Sequence, residues 1–202
     1  VSKQSLNTLL VGSAGICDAL ARHVTTSETA PLLAVVGSMS EIAQQQMAVL
    51  MAHPNVAKLD VDIHDAFCST VNDYVYRAIS ILQQGHHCLI STCSTHAARE
   101  HIDDLCNRLG MSRAELGENI CTFIASLVGE VLRKCTPGAL YLSGGDIAIA
   151  VARELGASGF RITGRVAQCV PLGRFLGGRW QRPVMTKAGG FGDEMTLSDV
   201  VN

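Results

Sequence analysis

The sequence predicts an α/β fold: a Rossmann-like sandwich with a mostly parallel sheet, helices on both faces and some antiparallel character near the C-terminus. Three observations predict it. Apolar runs of strand length recur between longer helical patterns, the rhythm of alternating strand and helix units. The runs are nearly continuous in apolar residues, as strands are when helices cover both faces of a sheet. Small-residue turns end three of the runs and open helices, as in doubly wound sheets.

In order, "NTLLVGS" reads as a strand that leads into a helix from Gly15 to His23. "PLLAVVGS" leads into a helix from Glu41 to Ala52, with Ser38 and Glu41 spaced as a capping box. "VAKLDVD" precedes a helix from Ala66 to Gln84 that Gly85 stops. "HHCLIST" precedes helices from Thr95 to Leu109 and from Ser112 to Lys134. Gly110 stops the first, and "RLGMSRAELGEN" reads as a solvated connection. "GALYLSGG" opens a helix from Asp146 to Leu155 that Gly156 stops. "GFRITGRVAQCVPL" and "RPVMTKAGG" close the fold, and Gly-rich turns alone between strands from Phe160 to Thr186 imply antiparallel pairing.

Composition bounds the function. A chain of 202 residues with 48% hydrophobic content and a mean hydropathy of +0.25 can bury a good core. A net charge of -2 and 4% aromatics give neither a phosphate-backbone footprint nor a base-stacking platform, so nucleic acid is not an expected partner. No apolar run approaches the roughly 18 residues of a membrane span. The eight cysteines have no repeating spacing, and several sit inside apolar runs as small hydrophobes, which predicts a reduced, cytoplasmic setting. The chain starts at Val1 rather than at Met, directly before an apolar strand, and reads as part of something longer.

Chemistry concentrates in the turns "VGSAG" (11–15), "VGSMS" (36–40) and "SGGD" (143–146), and in "TKAGGFGDE" (186–194). Beyond the carboxyl ends of parallel strands, helix N-termini offer free N–H groups and a positive dipole end to an anion. Gly144 and Gly145 let a phosphate approach the backbone. Ser38 and Ser40 offer hydroxyls, and Lys187 offers a point charge. Each has a plainer reading: Ser38 as a helix cap, Asp146 as a first-turn acid that suits the macrodipole, Lys187 as a solvated strand end. Neither a P-loop motif nor a dinucleotide fingerprint is present, and the missing ribose-binding acid speaks against a nicotinamide oxidoreductase. The stretch "HHCLISTCSTHAAREH" holds Cys88, Cys93, His96 and His101, but its spacing is not that of a zinc site, and a strand between the two cysteines turns the thiols apart.

Taken in order, "VGSAGICDALA", "VVGSMSEIAQQQM", "YLSGGDIAIAVARELGASGFRITGRV", "VPLGRFLGG" and "PVMTKAGGFGDEMTL" resemble the C-terminal nucleotide-binding domain of the four-carbon acid sugar kinase family. The likeness covers nearly the whole chain, and "SGGD" and "TKAGGFGD" are its most specific parts. It implies an ATP-dependent kinase of threonate, erythronate or an oxo-tetronate. Nucleotide contacts then fall on Ser38, Ser40, Gly144, Gly145, Asp146, Ile147, Gly189 and Gly190. Lys187 and the glycines after it would form one wall of the ATP site, with Asp146 and Asp193 as candidate Mg²⁺ partners. In many relatives Thr or Ser stands where this chain has Ile147, which leaves only a backbone N–H there. The family's acid-sugar half has no counterpart, so residues 1–25 are expected to be its tail and 26–202 the nucleotide-binding domain. The chain is then expected to be inactive without that half and to meet the acid sugar only through it. A homo-oligomer stays open, as does a free-standing nucleotide-binding or regulatory module without catalysis.

Overall fold

A computed structural model describes residues 30–38, 40–68, 70–92 and 102–201. The strand and helix predicted before residue 30, the "VGSAG" turn and the tail assigned to 1–25 lie outside the described residues. So do Cys93, His96 and His101.

Seven strands form one sheet in the order β2-β3-β1-β4-β7-β6-β5. They are β1 (Leu32–Val36), β2 (Val56–Asp60), β3 (His87–Ser91), β4 (Ala139–Ser143), β5 (Ala157–Ala167), β6 (Val170–Gly177) and β7 (Val184–Lys187). Pairing is parallel from β2 through β7, and antiparallel where β6 meets β7 and β5. The predicted mixed sheet is therefore present. All five residues of β1 are buried, which fits a strand covered on both faces.

The helices are α1 (Glu41–Leu50), α2 (Asp65–Cys68), α3 (Asn72–Gln83), α4 (Ile102–Leu109), α5 (Arg113–Lys134) and α6 (Gly145–Glu154). Alternation along the strands sorts the core into two layers. Leu33, Val35, Ile90, Leu140 and Leu142 face α3, α5 and α6. Leu32, Ala34, Val36, Leu89 and Tyr141 face α1. Each fully buried Leu contributes roughly 1.5 to 3 kcal/mol of transfer free energy.

Several predicted boundaries move, each for a local reason. The helix expected from Ala66 to Gln84 breaks into α2 and α3. The Tyr74 hydroxyl donates to Asp65 (2.5 Å) and accepts from the Asp62 N–H (3.1 Å), folding the chain back across the break. The cap of α1 is Ser40, whose Oγ accepts from the Ala43 N–H at 3.3 Å, rather than Ser38 in a box with Glu41. The Ser38 hydroxyl is already engaged by Ser40. A capping box does form at Ser112 and Glu115, so helix α5 runs through most of "RLGMSRAELGEN" and leaves Gly110–Ser112 as the connection. The run "GFRITGRVAQCVPL", read as one strand, is split into β5 and β6 by a turn at Gln168–Cys169 in which Cys169 takes φ 63°, while the expected glycine turn before β7 is present at Gly177 and Gly178, both with φ 73°. Gly85, Gly110 and Gly156 do end their helices with φ of 83°, 64° and 74°. Cys88 is buried in the core, and burial pushes its thiol up to about 12, so it serves as a small hydrophobe.

Topology fixes where a ligand can enter. From β1 the chain crosses through α1 on one face to β2. From β3 and β4 it crosses in the opposite direction through helices on the other face, as right-handed crossovers require. The carboxyl ends of β1 and β4 therefore flank the point where strand order reverses, the crevice at which open α/β sheets bind ligands.

Candidate functional site

At that point the two strands are stitched together. Val36 is in register with Ser143, and Ser143 with Lys187. The Gly37 N–H donates to the Ser143 carbonyl at 3.1 Å, and the Gly144 N–H donates to the Lys187 carbonyl at 2.9 Å. Gly144 caps α6 with φ 112°, a conformation that favours glycine. A Cβ on Gly37 would lie 2.4 Å from the Ile147 side chain, so the first turn of α6 packs directly on the turn after β1. Ile147 is 4% exposed. Its side chain locks the two turns together, and its place in the site rests on its N–H alone.

Among the described residues, the N–H groups of Gly145, Asp146 and Ile147 have no protein acceptor. They are the unpaired donors at the positive end of the α6 dipole. A Cβ on Gly145 would meet nothing within 4 Å, so the space before these donors is open. Beside them a groove of about 1000 Å³ runs between α5 and α6, with Ile63, Leu116, Ile120, Ile149 and Ala150 in its walls and Gly37, Gly144 and Asp146 at its mouth. Ile149, 52% exposed, presents an apolar surface to solvent there. Asp146 is exposed and has no ion-pair partner among the described residues. Asp146, Glu118 and Cys121 line the same groove, and burial first, then the carboxylates of Asp146 and Glu118, push the Cys121 thiol up.

On the α1 side, the "GSMS" and "AGG" turns touch. Ser40 Oγ donates to the Gly189 carbonyl at 2.9 Å, and a Cβ on Gly189 would strike Ser38 Oγ at 2.3 Å. Gly190 faces open space. The sequence reading aims Lys187 at a phosphate, but here its side chain is 3% exposed and Nζ donates to the carbonyls of Ala188, Gly189 and Phe191 at 3.1, 2.9 and 2.9 Å. Burial lowers its pKa, and among the described residues no carboxylate pairs with it. Asp193 uses Oδ1 locally, accepting from the Met195 N–H and the Thr196 hydroxyl.

Two parts of this arrangement escape the sequence reading: the α5/α6 groove and Gln46. The Gln46 side chain is 1% exposed and donates from Nε2 to the carbonyls of Asp193 (2.6 Å) and Phe191 (3.3 Å). A signal was present, because Ala43, Gln46, Met47 and Leu50 follow the spacing of one buried helix face. A Gln on such a face requires partners.

Residues 33–197 match a family described as the nucleotide-binding C-terminal domain. The chain belongs to the C-terminal nucleotide-binding domain of the four-carbon acid sugar kinase family. It is 36% identical to a D-threonate kinase of Salmonella typhimurium over 200 residues, which is 96% of this chain and 47% of that protein. It is 28% identical to a D-erythronate kinase of Heliobacterium modesticaldum over 78% of this chain and 38% of that protein. The chain thus spans less than half the length of either kinase. A domain from Bordetella bronchiseptica, solved with bound citrate as a domain-swapped dimer, superposes with a TM-score of 0.70 at 24% identity, covering 95% of this chain and 45% of that one. A Haemophilus influenzae protein superposes equally well at 18% identity, over 84% of this chain and 39% of that one. These two likenesses show the fold. Among the described residues of this nucleotide-binding domain, no helix is long and apolar enough to cross a membrane.

Proposed function

We propose that this chain binds ATP and ADP at the β1/β4 switch point and forms the nucleotide-binding portion of a kinase that phosphorylates a four-carbon acid sugar: threonate, erythronate or an oxo-tetronate. The observation that carries the reading is the set of free N–H groups at Gly145, Asp146 and Ile147, opening on an apolar groove large enough for a nucleoside. The phosphates lie against these donors and against the Gly189–Gly190 turn, and the base and ribose take the groove. The Salmonella and Heliobacterium kinases support the substrate class through their names.

Bound ATP supplies the phosphoryl group, and a sugar hydroxyl displaces ADP from its γ-phosphorus. Catalysis of this kind rests on positioning and charge stabilisation. The residues present suit that role. The α6 dipole and the ammonium of Lys187, which among the described residues pairs with no carboxylate, contribute positive potential to the turn region. Asp146, exposed at the groove mouth, would hold Mg²⁺ directly or through water, whereas Asp193 has one oxygen committed to its own turn. The acid sugar and the base that accepts its proton belong to the half of the kinase that this chain does not span, in the cytoplasm where ATP is available.

Calorimetric titration of the chain with ADP and Mg²⁺ tests the reading. Saturable one-site ADP binding is expected, with no tetronate-dependent ATP consumption by the chain alone. Heat from ADP indistinguishable from dilution would overturn nucleotide binding. Tetronate turnover by the chain alone would overturn the division of labour between halves.

A further inference from the structure

Four carbonyl groups of the turn from Ala188 to Asp193 are held by side chains. Lys187 Nζ takes the carbonyls of Ala188, Gly189 and Phe191, Ser40 Oγ also takes that of Gly189, and Gln46 Nε2 takes those of Phe191 and Asp193. Four carbonyl oxygens are thus drawn toward side chains that lie behind the turn. In a planar trans peptide, each carbonyl points opposite to the N–H of the following residue. The N–H groups of Gly189, Gly190, Gly192 and Glu194 therefore face away from those side chains. Among the described residues none of the four has a protein acceptor. The Phe191 N–H, by contrast, is used within the turn at 3.2 Å from the Ala188 carbonyl.

From this we infer that Gln46 and Lys187 are positioning residues for a backbone-amide cradle at Gly189, Gly190, Gly192 and Glu194 that takes a polyphosphate. Successive amides aimed at one side make an anion-binding concavity. A buried cation behind the peptide planes, paired with no carboxylate among the described residues, adds to the attraction. The donors behind the turn come from three places in the chain: the start of α1, its buried face and the end of β7. Such convergence holds the peptide planes in one orientation before any ligand arrives, which lowers the ordering cost of binding. Gly190 is open on its outer side and Gly192 takes φ 84°, so the turn can present its backbone closely. The inference rests on the nucleotide reading for the identity of the ligand, though not for its chemistry.

The test compares ADP, adenosine and inorganic tripolyphosphate on the full chain and on Gln46→Met, which keeps side-chain volume and removes the donor. The cradle predicts that Gln46→Met weakens ADP and tripolyphosphate by about tenfold, the loss of one or two net hydrogen bonds' worth of orientation, and leaves adenosine within about twofold. A structural role alone would lower the melting temperature and leave the ratio of ADP to adenosine affinity unchanged, which overturns the inference while nucleotide binding stands. If the wild type ignores ADP but binds tripolyphosphate, and Gln46→Met weakens that binding, the nucleotide reading falls and the cradle stands. If the wild type binds neither, both fall. Should Gln46→Met not fold, Ser40→Ala reads the same ratio by removing one donor to the Gly189 carbonyl.

Discussion

Gly145→Val is expected to fold normally and to lose ADP affinity by at least about 100-fold, which corresponds to about 2.7 kcal/mol. Both halves of that result follow from the first turn of α6. A Cβ on Gly145 meets no atom within 4 Å, and the residue has no positive φ, so the substitution creates neither a clash nor backbone strain. Only the modest helix propensity of Val is at stake, a few tenths of a kcal/mol. The branched side chain does, however, fill the space in front of the free N–H groups of Gly145, Asp146 and Ile147, where a phosphate must come within hydrogen-bond distance. Thermal melting and calorimetry on the same preparation check it. A folded variant with normal ADP affinity removes this turn from the site. The neighbouring Gly144 would be an uninformative choice, because its φ of 112° makes any side chain there strained.

Lys187→Met is expected to weaken ADP by roughly 30-fold or more while lowering stability by about 1 to 3 kcal/mol. The stability cost is limited because each carbonyl the ammonium serves keeps a second donor: the Phe191 N–H for Ala188, Ser40 Oγ for Gly189, and Gln46 Nε2 for Phe191. Removing a buried, unpaired charge also relieves its desolvation cost. Binding loses more, because the substitution removes the positive charge behind the cradle as well as one of the two donors that hold each of three peptides. Adenosine, which carries no phosphate, should keep its affinity within about 0.5 kcal/mol, the range of substitutions that touch no ligand. Equal loss of ADP and adenosine would mean that Lys187 supports the nucleoside pocket. Unchanged affinity for both would make it a purely structural residue.

These two residues also mark what could be read from the sequence. "SGGD" after an apolar run announces a strand, a glycine turn and a helix start, because those steps depend on local backbone chemistry. The parallel sheet, the extent of α5 and the glycine stops were legible for the same reason, whereas the capping box at Ser112 and Glu115 lay inside a stretch read as a connection. Lys187 was legible beside the glycine turn, but its ammonium was expected to reach outward and instead donates to the carbonyls of Ala188, Gly189 and Phe191. Whether an ammonium reaches out to a ligand or back to carbonyls depends on the path of the following turn, which residues 40, 46 and 189 settle from two distant parts of the chain. Ser38 was assigned the cap that Ser40 performs, because two serines at neighbouring positions compete and the winner is set by contact with Gly189. The Gln168–Cys169 turn was hidden because cysteine seldom adopts positive φ. The groove could not be read from either helix alone, since its lining combines α5 and α6 with residues as distant in the chain as Gly37, Ile63 and Gly144.

Amide-resolved NMR of the full chain during an ADP titration tests the central claim most directly, because it reads the proposed donors one by one. The account predicts that the largest shifts fall on Gly145, Asp146, Ile147, Gly189 and Gly190, and that adenosine shifts Ile149 and Ala150 while leaving those five nearly unmoved. Saturable shifts confined to the β5–β6 hairpin, or ADP and adenosine perturbing the same residues equally, would contradict it.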